Sequence, residues 1–166
     1  MKIFLIGMPG SGKTTLGKGL ASHLNIDFVD LDAEIEKSEK KSIAQIFRHQ
    51  GEVHFRILEA RLLREWAGSA QDFVMATGGG APCFHKGMEA LNQYGLTVFL
   101  DCPVSTLIER VKKNKERPLL LISDEVQLKE KLESLRAERL ECYRQSQIIL
   151  ENPTANELLK SIQTKN

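Results

Sequence analysis

The chain has 166 residues, of which 42% are hydrophobic and 27% charged, a composition that excludes a disordered or fibrous protein. This length corresponds to one domain, and we expect residues 1–166 to form it. The formal net charge is +1, so the chain as a whole does not attract nucleic acid or an anionic membrane surface.

Cysteine usage and the length of the apolar runs bear on the compartment. Cys83, Cys102 and Cys142 are odd in number and widely spaced, which is typical of neither a disulfide framework nor a zinc site. The opening apolar run is too short for a signal-peptide core, and no run reaches the roughly 20 residues of a membrane-spanning helix. We therefore expect a cytoplasmic monomer with reduced thiols and with neither a nucleic-acid nor a membrane partner.

The first predicted strand, residues 3–6, leads into a glycine-rich loop and then a helix. The sequence GMPGSGKT at residues 7–14 matches G-x-x-x-x-G-K-[ST], the pattern of a P-loop. Backbone N–H groups of such a loop surround phosphate oxygens, while Lys13 reaches the outer phosphates and Thr14 ligates Mg²⁺. A chance glycine-rich turn would rarely match all four fixed positions, so we predict a nucleoside triphosphate site.

The second predicted strand, residues 28–29, is followed closely by Asp30 and Asp32. Their spacing would place both carboxylates on one side of an extended chain. One could then serve Mg²⁺ and the other an acceptor hydroxyl. The alternative, equally well supported, is that these acids cap the next helix.

Two helices are predicted before the third strand. Ser42 and Gln45 form a capping-box pattern ahead of an apolar stripe, which indicates that one helix begins there. The other helix runs through Phe55 and Leu62. Arg56 lies near the start of this second helix, and its spacing does not decide between a cleft and solvent.

Three glycines follow the third predicted strand, residues 73–75. Parallel sheets bind ligands outside the carboxyl ends of their strands. Gly78, Gly79 and Gly80 would allow a ligand to approach the backbone closely there. A plain flexible turn is the alternative.

The fourth predicted strand, residues 96–100, precedes Asp101 and Pro103. We favour a helix cap over a metal ligand for Asp101, because proline is common at the first helical position. The polar, basic, proline-broken stretch at residues 112–118 predicts a mobile loop. Within it, residues 114–117 begin like the guanine-reading N-K-x-D motif but have Arg117 in place of the aspartate, and D-x-x-G is also absent, so a GTPase is excluded.

Arg139 interrupts an apolar stripe on the last long predicted helix, formed by Leu128, Leu132, Leu135 and Cys142. A buried guanidinium is costly unless it has an internal acid or an anionic ligand. An arginine that faces a cleft suits bidentate recognition of a carboxylate. An internal salt bridge is the alternative. A fifth apolar run, residues 148–150, follows, and the alternation of strands with helices predicts a parallel sheet covered on both faces.

These motifs together resemble the shikimate kinase family. The resemblance rests on residues 7–14, 30–32, 55–56, 78–81, 117–120, 139 and 143–144, in this order along the chain. It implies a three-layer α/β/α fold of the P-loop NTPase, nucleoside-monophosphate-kinase-like type, with five parallel strands. It also implies an acceptor-binding region at about residues 32–62 and a mobile lid at about residues 112–124.

The reaction implied by the resemblance is transfer of the γ-phosphate of ATP to the 3-hydroxyl of shikimate, in aromatic amino acid biosynthesis. Asp32 would bind the acceptor hydroxyls and act as the base. Arg56 and Arg139 would hold the shikimate carboxylate. Gly79 would contact the ring, flanked by Gly78 and Gly80.

The resemblance also implies the nucleotide and metal contacts. Phosphate would be bound by Gly10, Ser11, Gly12, Lys13, Thr14 and Thr15. Arg110 and Pro153 would flank the adenine, and Arg117 would close over the phosphates with the lid. Thr14 would ligate Mg²⁺ directly and Asp30 through water. Family members often carry a basic or amide side chain where this chain has Glu151.

Two other functions fit the same sequence. A gluconate-type or nucleotide kinase would use the same P-loop and lid, but two arginines aimed at a carboxylate argue against a neutral acceptor. A nucleotide-binding regulatory module without turnover would require neither Asp32 nor a basic lid.

Overall fold

The computed structural model describes residues 1–113 and 124–165. Arg117 and most of the predicted lid lie outside the described residues. The elements follow in the order β1 (Lys2–Ile6), α1 (Lys13–Leu24), β2 (Asp27–Asp30), α2 (Leu31–Glu39), α3 (Ile43–Gly68), β3 (Phe73–Ala76), a 3₁₀ helix (Ala81–Cys83), α4 (Gly87–Tyr94), β4 (Leu96–Asp101), α5 (Val104–Lys113), α6 (Glu125–Tyr143), β5 (Ile148–Glu151) and α7 (Ala155–Gln163).

Each of the five predicted apolar runs forms a strand, and the strands build one sheet in the order β2-β3-β1-β4-β5. All four neighbouring pairs are parallel, which confirms the predicted parallel sheet. Since parallel strands end at the same edge, the loops after β1, β2, β3 and β4 meet there.

The sheet is covered on both faces, as predicted. In the central strand β1, Phe4 and Ile6 belong to one core cluster, which includes buried residues of α2 to α6. Ile3 and Leu5 belong to a second cluster with residues of α1 and α7. This alternation follows from the two-residue period of a strand and yields the three-layer α/β/α arrangement.

The predicted capping box is confirmed at the start of α3. The Ser42 hydroxyl accepts from the Gln45 backbone, and the Gln45 side chain accepts from the Ser42 backbone. The two helices predicted for this region are continuous except at Gly51, whose φ of 80° and ψ of 173° interrupt the helical path. A positive φ favours glycine, and the bend sets the direction of the segment that carries Arg56.

Two predictions about acids need correction. α2 begins at Leu31, so Asp32 lies in the first turn of a helix and not on extended chain beside Asp30. Asp101 ends β4 and is not the cap of α5, because α5 begins only at Val104. Its carboxylate instead accepts from Arg136 of α6 at 2.8 and 3.0 Å. In the part of the chain that the structure describes, no helix has the length and apolarity to span a bilayer.

Candidate active site

The P-loop connects β1 to α1 at the carboxyl edge of the sheet. Gly10 and Gly12 have φ of 84° and 94°, values that side chains rarely adopt. Lys13 is buried, and its Nζ donates to the carbonyl oxygens of Gly7 and Met8, each at 2.9 Å. The ammonium group therefore spans the loop and places a positive charge at the site where phosphate is expected.

Ser11 in the P-loop and Thr15 at the start of α1 differ in how far they are exposed to solvent. The Ser11 hydroxyl is buried and lacks a hydrogen-bond partner among the described residues. Buried polar atoms are nearly always hydrogen-bonded, so an unpaired one at a helix N-terminus fits a bound anion. Thr15 is exposed on the first turn of α1.

Thr14 and Asp30, the predicted metal pair, are in contact. The Thr14 hydroxyl donates to Asp30 Oδ2 at 3.1 Å. Oδ1 of the same carboxylate caps α2 by accepting from the backbone of Asp32 at 3.1 Å and of Ala33 at 3.4 Å. The capping alternative for Asp30 is therefore confirmed for one oxygen, while the other oxygen faces Thr14.

These two residues fit Mg²⁺, which prefers oxygen ligands and usually keeps several waters beside one or two protein ligands. Within residues 1–113 and 124–165, no group of three or more His, Cys, Asp or Glu could hold a metal ion. A metal at Thr14 and Asp30 would thus depend on water and phosphate oxygens for its other ligands.

Arg110 and the turn before Pro153 meet beside the P-loop. Arg110 donates to the Gly10 carbonyl at 3.3 Å and to the Asn152 side chain at 3.3 Å. Pro153 is buried and follows Asn152 directly. The structure brings together the two segments predicted to flank adenine, although the adenine contact itself stays a prediction. Asn152 was missed, because only the fold brings it to Arg110.

Arg56 is buried, with 8% of its surface exposed, so it faces the interior and not solvent. Its Nη1 donates to Glu59 Oε2 at 2.8 Å, and its Nη2 lies 3.3 Å from Glu52 Oε1. Glu59 is only 2% exposed. Sequence reasoning missed Glu59, although an acid inside the apolar stripe of Phe55 and Leu58 is the same kind of signal that identified Arg139.

The environment of Glu59 changes its acidity. Burial raises the pKa of its carboxyl from 4.5 to about 7, the Arg56 guanidinium opposes this shift, and Asp32 reinforces it. The Arg139 guanidinium also lowers the pKa. Glu59 therefore lies among the predicted acceptor-binding groups of three different helices.

Gly78 lies against the two acids of the site. A Cβ atom at Gly78 would be 2.7 Å from Glu59 Oε1 and 2.9 Å from Asp32 Oδ1. Contacts this short do not occur for real Cβ atoms, so a side chain here would force both carboxylates to shift. The loop after β3 thus allows carboxylates from α2 and α3 to approach its backbone. A plain flexible turn, the alternative, would not require such a close approach.

Gly79 and Gly80 lie against the two arginines. A Cβ atom at Gly79 would be 2.9 Å from Arg139 Nη1, and one at Gly80 would overlap the Arg56 guanidinium. The buried Tyr143 hydroxyl donates to the Gly79 carbonyl at 2.5 Å. The guanidinium groups of α3 and α6 therefore converge on one short loop.

Arg139 is half-buried on α6, and its Nη1 lies against Gly79. Across residues 1–113 and 124–165, no carboxylate forms an ion pair with it. The alternative of an internal salt bridge is thus not found in these residues. A half-buried guanidinium with this surrounding can bind an anion that enters the cleft.

Comparisons with known proteins agree on one family. The family model described as shikimate kinase matches residues 9–165. Shikimate kinase of Bacteroides fragilis is 43% identical over 150 residues, which are 90% of this chain and 83% of that protein.

Two solved structures are similar over nearly the full length. The shikimate kinase of Bacteroides thetaiotaomicron has a TM-score of 0.90 at 37% identity, covering 99% of this chain and 96% of that one. The shikimate kinase of Acinetobacter baumannii, solved in complex with shikimate, has a TM-score of 0.88 at 36% identity, covering 99% and 91%.

Proposed function

We propose, since the chain belongs to the shikimate kinase family, that it transfers the γ-phosphate of ATP to the 3-hydroxyl of shikimate. The observation that carries the proposal is the convergence of Arg56 and Arg139 on the loop formed by residues 78–80. This loop begins beside Asp32 at the edge of the sheet that also holds the P-loop. A carboxylate, a hydroxyl and a triphosphate can thus be bound in one cleft.

The two arginines form the carboxylate-binding part of the acceptor site. Guanidinium groups bind carboxylates with two parallel hydrogen bonds. Glu59 binds Arg56 at 2.8 Å and so fixes the direction of its guanidinium, which makes Glu59 a positioning residue. The ring of shikimate would lie against Gly79, where a side chain would collide with Arg139.

Asp32 is the candidate base of the reaction. It extends from the first turn of α2 to the Gly78 backbone. A carboxylate in hydrogen-bond reach of the acceptor hydroxyl can take its proton as the phosphoryl group transfers.

Lys13 and Mg²⁺ are proposed to supply the positive charges that bind the triphosphate. Lys13 is already oriented by the carbonyls of the P-loop. Bound at Thr14 and Asp30, Mg²⁺ would neutralise phosphate charge. The nucleotide base would lie between Arg110 and Pro153, and phosphates would bind at Gly10, Ser11, Gly12 and Thr15. Arg117, outside the described residues, is proposed to add a further positive charge when the lid closes.

The proposal also covers the organisation of the chain. A single kinase domain would contain an acceptor-binding region at about residues 32–62 and a lid at about residues 112–124. We expect it to act as a cytoplasmic monomer, with ATP and shikimate as its partners. All proposed contacts come from one chain, so the site does not need a second copy. Light scattering on a sizing column measures the oligomeric state.

The test is ADP release in a coupled assay with Mg²⁺ and ATP. Separate reactions receive shikimate, quinate, gluconate, a nucleoside monophosphate or no acceptor. We expect ADP release only with shikimate, and a marked loss with shikimate methyl ester, which has no carboxylate charge. If another acceptor is used and shikimate is inert, the proposal is wrong.

A further inference from the structure

Tyr143 ends α6, and in the part of the chain that the structure describes it is the largest of the fully buried side chains. Its ring packs against Phe99 of β4, with the two ring centroids 5.1 Å apart. Phe99 is itself buried and pairs in register with Ile6 of the central strand. The phenol ring is therefore supported by the packed core of the sheet, where side chains have little room to move.

The hydroxyl group of this ring reaches the middle of the glycine loop, where it donates to the Gly79 carbonyl at 2.5 Å. The carbonyls of the flanking glycines, Gly78 and Gly80, accept from backbone N–H groups three residues further along the chain, at 3.2 and 2.9 Å. Those two bonds are local turns, whereas the bond from Tyr143 joins residues 64 positions apart. Because glycine has the most backbone freedom of any residue, this bond restricts the loop where it is free to move.

Gly79 is also the place where the acceptor side of the cleft meets the P-loop. A Cβ atom at Gly79 would be 2.9 Å from Arg139 Nη1 and 3.3 Å from Pro9 Cδ. Arg139 precedes Tyr143 by one helical turn, so both side chains lie on the same face of α6. A shift of Gly79 would therefore change its distance both to the Arg139 guanidinium and to the P-loop.

We propose that Tyr143 is a positioning residue, whose hydrogen bond to Gly79 fixes the glycine loop in the position at which it binds the acceptor ring. The inference rests on the proposed function, in which the ring of shikimate lies against Gly79. Tyr143 exposes none of its surface, so it acts through the loop and does not touch the acceptor. Burial raises the pKa of its phenol, so the hydroxyl keeps its proton at neutral and moderately alkaline pH.

The variant that isolates this bond is Tyr143→Phe, which removes the hydroxyl oxygen and keeps the ring that packs on Phe99. The Gly79 carbonyl then loses its bond from α6, and the loop is free to leave its binding position. We expect the KM for shikimate to rise about tenfold, the factor that corresponds to one hydrogen bond. The KM for ATP should not change, because Lys13 is held by carbonyls of the P-loop itself.

The first measurement needs no substrate. Amide hydrogen exchange, followed by NMR, is compared between the wild type and Tyr143→Phe. The amides of Ala81 and Cys83 donate to the glycine loop, and their exchange should become about tenfold faster relative to that of Phe4 in the central strand. The matched control is Tyr94→Phe, which alters a tyrosine that is 44% exposed and should leave both rates unchanged.

Two results of this measurement would overturn the proposal. Unchanged exchange at Ala81 and Cys83 would show that the loop keeps its position without the hydroxyl group. An equal increase at these amides and at Phe4 would show that Tyr143 stabilises the fold as a whole and has no particular effect on the loop.

The second measurement is steady-state kinetics of Tyr143→Phe, Gly79→Ala and the double variant. If Tyr143 acts through Gly79, the two changes should not be additive when their effects on the KM for shikimate are expressed as free energies. Additive effects, or a KM for ATP that rises as much as the KM for shikimate, would refute the positioning role.

The two measurements separate this inference from the proposed function. Hydrogen exchange does not depend on turnover, so it tests the bond to Gly79 even in a protein that uses another acceptor. If shikimate is not phosphorylated by the wild type, the proposed function fails, and the exchange rates still decide whether Tyr143 fixes the loop. Faster local exchange with an unchanged KM for shikimate would refute the effect on the acceptor.

Discussion

The nucleotide side and the acceptor side of the cleft are built in different ways. The nucleotide side is built around one continuous segment, residues 7–15, whose backbone groups and lysine are proposed to surround the phosphates. The acceptor side draws side chains from α2, α3 and α6 onto the loop after β3. Two of its charges, Arg56 and Glu59, are buried and pair with each other.

This difference predicts different consequences of mutation. On the nucleotide side, the charges are proposed to act on the phosphoryl group as it transfers, so their loss should lower turnover. On the acceptor side, Arg56 and Arg139 are proposed to bind a carboxylate that does not react, so their loss should raise the KM for shikimate. Because the acceptor groups are coupled, a change in one should also alter the others.

The largest effect is expected from Lys13→Met. Loss of the ammonium group should lower turnover about a thousandfold, because it removes a fixed charge from the transferring phosphate. Steady-state kinetics with saturating ATP and shikimate measure it. Lys18→Met, on the exposed face of the same helix, is the matched control. Equal losses in both variants would contradict a specific role for Lys13.

Arg117→Ala should lower turnover about a hundredfold, and much more than it raises the KM for shikimate. The reason is that Arg117 is proposed to contact phosphates only when the lid closes. Lys113→Ala removes a neighbouring exposed cation and controls for general charge. Unchanged turnover would refute the proposed contact.

Arg56→Ala and Glu59→Gln test the coupling of the acceptor side. Arg56→Ala leaves a buried acid without its main partner, which should cost about 3 kcal/mol of unfolding free energy. Each variant should raise the KM for shikimate. When these changes in KM are expressed as free energies, the effect of the double variant should be smaller than the sum of the effects of the two single variants. Additive effects would show that Glu59 does not act through Arg56.

The pKa of Glu59 predicts a pH dependence of stability. It is about 7 in the folded protein against an ordinary 4.5, so between these values the native state binds more protons than the unfolded state. The free energy of unfolding contributed by Glu59 is therefore fully present below pH 4.5 and lost as the pH rises through 7, by on the order of 3 kcal/mol.

Urea unfolding of the wild type and of Glu59→Gln between pH 4.5 and 8 measures how the free energy of unfolding of each protein depends on pH. Glu65→Gln, at an exposed position of α3, is the control and should not reproduce it. A difference between wild type and Glu59→Gln that does not change with pH would contradict the predicted titration.

The smallest effects are expected from two glycine substitutions. Gly79→Ala would place a methyl group 2.9 Å from Arg139 Nη1, and we expect the KM for shikimate to rise about tenfold. Gly19→Ala in α1 meets nothing within 4 Å and should stabilise the protein by about 1 kcal/mol. Kinetics and thermal unfolding of both variants measure this contrast. An unchanged KM in Gly79→Ala would show that Arg139 can move away without loss.

The sequence by itself determined the fold and the position of the P-loop. Five apolar runs separated by helical patterns gave the parallel sheet, because strand and helix periods are local properties. The P-loop was predicted from consecutive residues, because one turn and the start of the helix that follows it form the whole phosphate-binding loop. The resemblance to shikimate kinases, confirmed by the match over residues 9–165, used motifs that each lie within a few residues.

Only the tertiary structure decided how the acceptor side is assembled. It placed Arg56 in the interior, paired it with the unpredicted Glu59, and moved Asp32 from extended chain into a helix. These outcomes depend on burial and on distances between elements remote in the chain, and burial sets both the cost of a charge and the partner that it needs.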